Sequence, residues 1–155
     1  MLTIYIDADA CPVKEEVYRV ARRYRARVTL VANAWMRVPK EEWIELVLVP
    51  DEGQLDAADD WIVETVQGDD IVITEDIILA SRCLAGGARV INPRGRVFTA
   101  ESIGEALATR ELMADLREAG AVTGGPAPFE KRDRSVFLQR LDETIQAVRR
   151  SKGTM

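Results

Sequence analysis

Two carboxylates, Asp7 and Asp9, follow directly on the apolar run Ile4-Tyr5-Ile6, and two more, Glu75 and Asp76, follow Ile71-Val72-Ile73-Thr74. Between them lies Asp56-Ala57-Ala58-Asp59-Asp60-Trp61. On a helix Asp56 and Asp60 share one face, and Asp59 lies on the same side as Asp56. Carboxylates brought together repel, and a divalent cation is the low-cost remedy. Oxygen ligands without His or Cys select Mg²⁺ or Mn²⁺ over zinc. Such an ion lowers the pKa of a bound water, orients it and neutralises charge developing on a phosphoryl group, which is the chemistry of phosphodiester hydrolysis. Each acid also has a structural use. Asp9 and Asp76 suit helix caps, and Asp59 and Asp60 suit the positive end of a helix dipole.

Composition narrows the alternatives. The 155 residues include no histidine, which removes Ser-His-Asp and Cys-His catalysis and any imidazole-based zinc site. Cys11 and Cys83 are far apart and show no Cys-x-x-Cys spacing, as expected of a reduced, cytoplasmic protein. Cys11 stands close to carboxylates that oppose thiolate formation, so packing is its expected role. A net charge of −5 argues against nonspecific nucleic-acid binding by the whole surface, while leaving room for a local basic patch. No apolar run approaches the roughly 20 residues that span a bilayer, and MLTIYIDADA has no basic segment before its apolar one. Neither secretion nor a membrane partner is expected.

The acids need strands and helices to position them. Leu2–Ile6, Val28–Ala32, Ile44–Val49, Ile71–Thr74 and Ala88–Ile91 are apolar on both faces, as parallel strands covered by helices are. Val13, Val17, Val20, Ala21 and Tyr24 repeat at helical spacing after Pro12, which suits a first helical position. Further helices are expected over Asp56 to Val66 and over Ile77 to Ala85, the latter stopped by Gly86-Gly87. Asn92-Pro93-Arg94-Gly95 reads as a turn, and Ser102-Ile103-Gly104-Glu105 as a capping box opening a helix that ends near Gly120. After a loop over residues 123–129, a last helix from about Asp133 to Arg150 carries Phe137, Leu141, Ile145 and Val148 on one face. The whole predicts one α/β domain over residues 1–150: three layers, α/β/α, with a mostly parallel central sheet of about five strands and additional C-terminal helices. Residues 151–155 are expected to fray. In such sheets ligands bind beyond the carboxyl ends of the strands, where strand order reverses. Asp7 and Asp76 meet there if the first and fourth strands are neighbours. The pattern fixes no oligomeric state.

IDADACPVKEE, VANAW, DAADDWIVE, IVITEDIILA, NPRGR and TGGPAPFEKRDR, in this order across nearly the whole chain, resemble the YaiI/YqxD family of small bacterial proteins. That family has no established activity, but it is similar to the PIN-like nuclease superfamily, with a parallel sheet and acids gathered at its carboxyl edge. The resemblance implies a Mg²⁺- or Mn²⁺-dependent nuclease, with RNA the expected substrate. It implies Asp7, Asp59 or Asp60, and Asp76 as metal ligands, with Asp9 and Thr74 behind them. PIN-type sites commonly carry a further acid after the fourth strand; here Ile77, Ile78 and Leu79 follow, leaving Asp9 or Glu75 to substitute.

For the substrate, Arg94 together with Lys131, Arg132 and Arg134 could form the basic patch an RNA backbone requires, or a solvated charge run. Lys14 could meet a phosphate or pair with Asp9. Asn33 stands at the same sheet edge and could contact substrate. Gly124-Gly125 reads as a turn, since it lacks the context of a P-loop. Trp35, Trp43 and Trp61 are not spaced as a stacking platform, so packing in the core or rim is expected. Two other readings compete. Asp7-Ala8-Asp9 fits a haloacid-dehalogenase-type phosphatase, although Asp59-Asp60 precedes Thr74 and Cys11 stands where Thr or Val is expected. A non-catalytic RNA- or protein-binding module on the same scaffold is the other.

Overall fold

The computed structural model describes residues 2–53, 56–121 and 127–153. Among them six strands form one sheet: β1 (Thr3–Asp7), β2 (Arg27–Ala32), β3 (Ile44–Leu48), β4 (Ile71–Ile73), β5 (Arg89–Ile91) and β6 (Val97–Phe98). The helices are α1 (Lys14–Tyr24), α2 (Ala57–Thr65), α3 (Ile77–Ala85), α4 (Ala100–Glu118) and α5 (Lys131–Gly153). Strand order is β3-β2-β1-β4-β5-β6, parallel except for β6. The chain builds outwards from β1 through β2 to β3, then returns to β1's other side with β4. The order therefore reverses between β1 and β4, as the placement of the acids requires.

Alternation along the strands divides the core into two layers. Ile4, Ile6, Leu30, Ile71 and Ile73 face α1 and α5, where they meet Val17, Val20, Phe137, Leu141 and Ile145. Tyr5, Val31, Val72 and Val90 face the other way, towards Ile62 of α2, Leu79 of α3 and Ile103 of α4. This is the expected three-layer α/β/α arrangement, with the C-terminal helices divided between the faces. The apolar stripe of α5 docks as expected, with Phe137, Leu141, Ile145 and Val148 all buried.

Local chemistry moves several boundaries. Pro12 lies in a turn before α1, and a single 3₁₀ turn over Ala8–Ala10 intervenes between β1 and that helix. The N-cap of α4 is Thr99; Ser102 is its reciprocal partner in the capping box. The helix extends from Lys131 to Gly153, so Ser151 and Lys152 continue α5 where fraying was expected. Strand β6 is an unexpected antiparallel edge, formed because the Asn92-to-Arg96 turn folds the chain back on β5. Asn92 Oδ1 accepts from the backbone N–H groups of Arg94 and Arg96 at 3.0 and 2.9 Å. The loop glycines Gly124 and Gly125 lie outside the described residues. No helix among the described residues is long and apolar enough to cross a membrane.

Candidate functional site

β1 and β4 run side by side with Ile6 opposite Ile73, so the next residues, Asp7 and Thr74, emerge together. Thr74 Oγ1 donates to Asp7 Oδ2 at 2.8 Å and accepts from the Asp76 backbone N–H at 3.0 Å. One buried hydroxyl thus positions both strand ends. Asp76 is the N-cap of α3, where its Oδ1 accepts from the N–H groups of Ile78 and Leu79 at 2.9 and 3.2 Å.

The third carboxylate comes from α2. Asp59 and Asp60 are successive residues, about 100° apart around a helix, and they part company. Asp60 turns to α3 and pairs with Arg82 at 2.8 Å. Asp59 stands close enough to Asp7 and Asp76 for their charges to act on it. Its pKa is pushed up to about 7, first by burial and then by the negative charges of Asp7, Asp76 and Asp56. Burial also raises the Asp7 pKa against the opposing Thr74 hydrogen bond, helped by Asp76, Asp9 and Glu75. Of the two, Asp59 is the one beside Asp7 and Asp76, while Asp60 faces Arg82.

Asp9 is exposed within the 3₁₀ turn, and its Oδ2 accepts from the Asn33 backbone N–H at 3.0 Å. It ties β2 to β1 and does not cap α1, whose N-cap is Val13. Asn33 stands at the sheet edge as expected, holding Asp9. Glu75 is exposed in the same cleft as Asp7 and Asp76. The donor set is all carboxylate and hydroxyl, the chemistry of Mg²⁺ or Mn²⁺. Among the described residues no group of three Asp, Glu or Cys side chains is arranged to hold an ion. One or two carboxylates, with waters and a substrate phosphate, are the usual protein share of a Mg²⁺ shell.

The expected basic patch is used elsewhere. Lys14 Nζ donates to the Cys11 carbonyl at 3.0 Å, not to Asp9. Arg94 pairs with Asp133 at 3.1 Å and donates to the Ala127 and Pro128 carbonyls. Arg134 donates to the Pro12 carbonyl at 2.5 Å and pairs with Glu16 at 3.3 Å. Both guanidinium groups lie over the Phe129 ring, at 5.6 and 4.9 Å. NPRGR and the Phe129-to-Arg134 segment therefore form a clasp that seats α5. Arg132 is highly exposed and pairs with Glu130 at 3.0 Å.

The site cleft, about 1100 Å³, is lined by Asp7, Glu75 and Asp76, by Arg96 just before β6, and by Glu105, Arg110 and Arg117 of α4. Sequence reading missed these three arginines; they are scattered along the chain, and it takes the packing of α4 on α3 and the return of the chain at β6 to bring them to one cleft. Cys11 is buried with its thiol pushed up to about 11, chiefly by burial, which fits the packing role. Trp61 packs on Tyr5 and Trp43 under Arg22. Trp35 departs from expectation, being 74% exposed.

Comparison with known proteins closes the question of kinship. The model of the family described as uncharacterized BCR, YaiI/YqxD family matches residues 5–147. A UPF0178 protein of Rhodospirillum centenum is 58% identical over 156 residues, 98% of this chain and 100% of the relative. Another, from Rhodopseudomonas palustris, is 55% identical over 97% of this chain and 94% of the relative. One from Paramagnetospirillum magneticum is 55% identical over 97% and 98%. No solved structure matches. With a match across almost every element described above, the chain belongs to the YaiI/YqxD family, UPF0178.

Proposed function

We propose that this protein is a Mg²⁺- or Mn²⁺-dependent nuclease that hydrolyses RNA at the β1–β4 edge of its sheet. The observation that carries this reading is the convergence of Asp7, Asp59 and Asp76, from three different elements, at the point where strand order reverses. A purely structural trio would gain nothing from this proximity, which adds like-charge repulsion to the burial that pushes the Asp59 carboxyl up to about 7. Asp7 and Asp76 are the ligands of choice, held by Thr74, and Asp59 completes or orients the shell. The bound ion would supply an activated water and neutralise charge on the phosphoryl group. Asp76, locked by two backbone N–H groups, keeps its position as the substrate enters. Similarity to the PIN-like nucleases supports the same assignment as an analogy.

The test is a calorimetric titration of Mn²⁺ into metal-stripped protein, repeated with Asp7→Asn and Asp76→Asn, followed by an RNA cleavage assay. Asn is also a good N-cap, so Asp76→Asn keeps α3 intact. Saturable binding abolished by both substitutions, with Mn²⁺-dependent cleavage lost in parallel, is expected. Absence of Mn²⁺ binding to the wild type, with and without a short RNA, would overturn the reading. Metal binding without cleavage of any RNA would favour the non-catalytic binding module instead.

A further inference from the structure

Helix α4 packs on α3 through Ile103 and Ala106, and no residue of the helix beyond Ala106 is buried. Its C-terminal half nevertheless lines the cleft opposite the carboxylates, with Thr109, Arg110, Met113 and Arg117 turned to it. Arg110 and Arg117 stand two turns apart on this side, about 10 Å along the axis at about 1.5 Å per residue. Arg96 joins them from the residue before β6, with its guanidinium 4.9 Å from the Phe98 ring centre. None of these three side chains has an ion pair among the described residues, whereas Arg94, Arg132 and Arg134 all do.

We infer that Arg96, Arg110 and Arg117 form a phosphate-binding wall that holds single-stranded RNA against the carboxylates. For the choice of nucleic acid this rests on the nuclease reading. Three guanidinium groups without protein counter-ions are suited to phosphate oxygens, which they bind with fork geometry. Three guanidinium groups on one cleft carry more charge than a single phosphodiester takes up, so they suit a ligand with several phosphates. A cleft of about 1100 Å³ is just above the range of small-molecule pockets, room for a few nucleotides of one strand. Apart from the strand-end acids the cleft holds one carboxylate, Glu105, against the three arginines, so the strand-end acids and the arginines keep separate tasks. The acids take the metal, and the arginines offset the repulsion between a polyanion and the acids.

The experiment is fluorescence anisotropy of a labelled single-stranded ten-nucleotide RNA with the full chain in EDTA, which prevents cleavage and removes any metal contribution. Arg110→Ala and Arg117→Ala are each expected to weaken binding roughly tenfold at low salt, and to reduce the slope of log affinity against log salt by about 0.7 per arginine. Arg132→Ala, an equal loss of charge outside the cleft, is expected to leave affinity unchanged. A mononucleotide is expected to compete far more weakly than the ten-mer. The inference is overturned if the wild type does not bind, if the α4 variants bind like the wild type, if Arg132→Ala weakens binding as much as they do, or if the mononucleotide competes equally. Normal Mn²⁺ binding with arginine-independent RNA affinity would sink this inference alone. Arginine-dependent RNA affinity in a protein that takes no Mn²⁺ would sink the nuclease reading and leave the wall standing.

Discussion

At Asp59 the site's electrostatics become measurable. The carboxyl titrates near 3.8 when unperturbed and near 7 in the fold, so between these values the folded chain holds a proton that the unfolded chain releases. Linkage then sets the sign: the Asp59 contribution to the stability of the metal-free protein falls as pH rises from about 4 to about 7, and levels off above. Asp7 is shifted in the same direction. Asp59→Asn removes the Asp59 share, so thermal melts of the metal-free proteins should show the variant gaining on the wild type at pH 8 and matching it near pH 4. Equal pH dependence in the two proteins would mean that Asp59 is not the group carrying the shift. Its neighbour makes the complementary case. Asp60 is paired with Arg82 outside the cluster, so Asp60→Asn should leave Mn²⁺ affinity within about twofold, and lose no more than about 1 kcal/mol of stability for an exposed pair. A large loss of metal affinity would return Asp60 to the site.

Elements were legible where local chemistry decides them. Ile71-Val72-Ile73 and Val28-to-Ala32 have no polar face, so they read as buried parallel strands. Gly86 and Gly87 end α3 where the sequence places its stop. What escaped were features settled by tertiary contact. β6 is only two residues long and exists because the turn at Asn92 returns it to β5. The arginines at 94 and 134 cluster near other basic residues in the sequence, yet the fold uses them to grip Phe129 and α5. Arg110 and Arg117 sit in a helix with no strong apolar stripe and gave no local signal at all. The turn itself supplies a prediction. Gly95 has φ +91°, and a Cβ there would lie 2.6 Å from Val136 Cγ1 and 3.0 Å from the Val136 backbone carbon. Backbone strain and overpacking act together, so Gly95→Ala should cost about 2–4 kcal/mol, read as a lower melting temperature. An unchanged melting temperature would show that α5 can yield at Val136.

On the scale of the whole molecule, the sheet separates stability from chemistry. One face rests on α1 and α5, joined by Phe137, Leu141 and Ile145 below and by the Arg23–Asp142 pair and the Tyr24 hydroxyl bond to Asp142 at the rim. The other face carries α2, α3 and α4, which deliver Asp59, the cap at Asp76 and the arginine wall. Phe137 is fully buried in the first layer and touches none of the cleft. Truncating it to Ala should cost about 3–5 kcal/mol, lowering the melting temperature by about 10 °C in a chain of this size. Below that melting point the carboxylates are still fixed by Thr74 and by the α3 N-terminus, which Phe137 does not support. Mn²⁺ affinity of Phe137→Ala should therefore equal that of the wild type when titrated well below the transition. If affinity falls while the folded fraction stays full, the two layers are coupled through β1 and β4, and the strand ends are less independent of the α1–α5 face than the Thr74 and Asp76 hydrogen bonds imply.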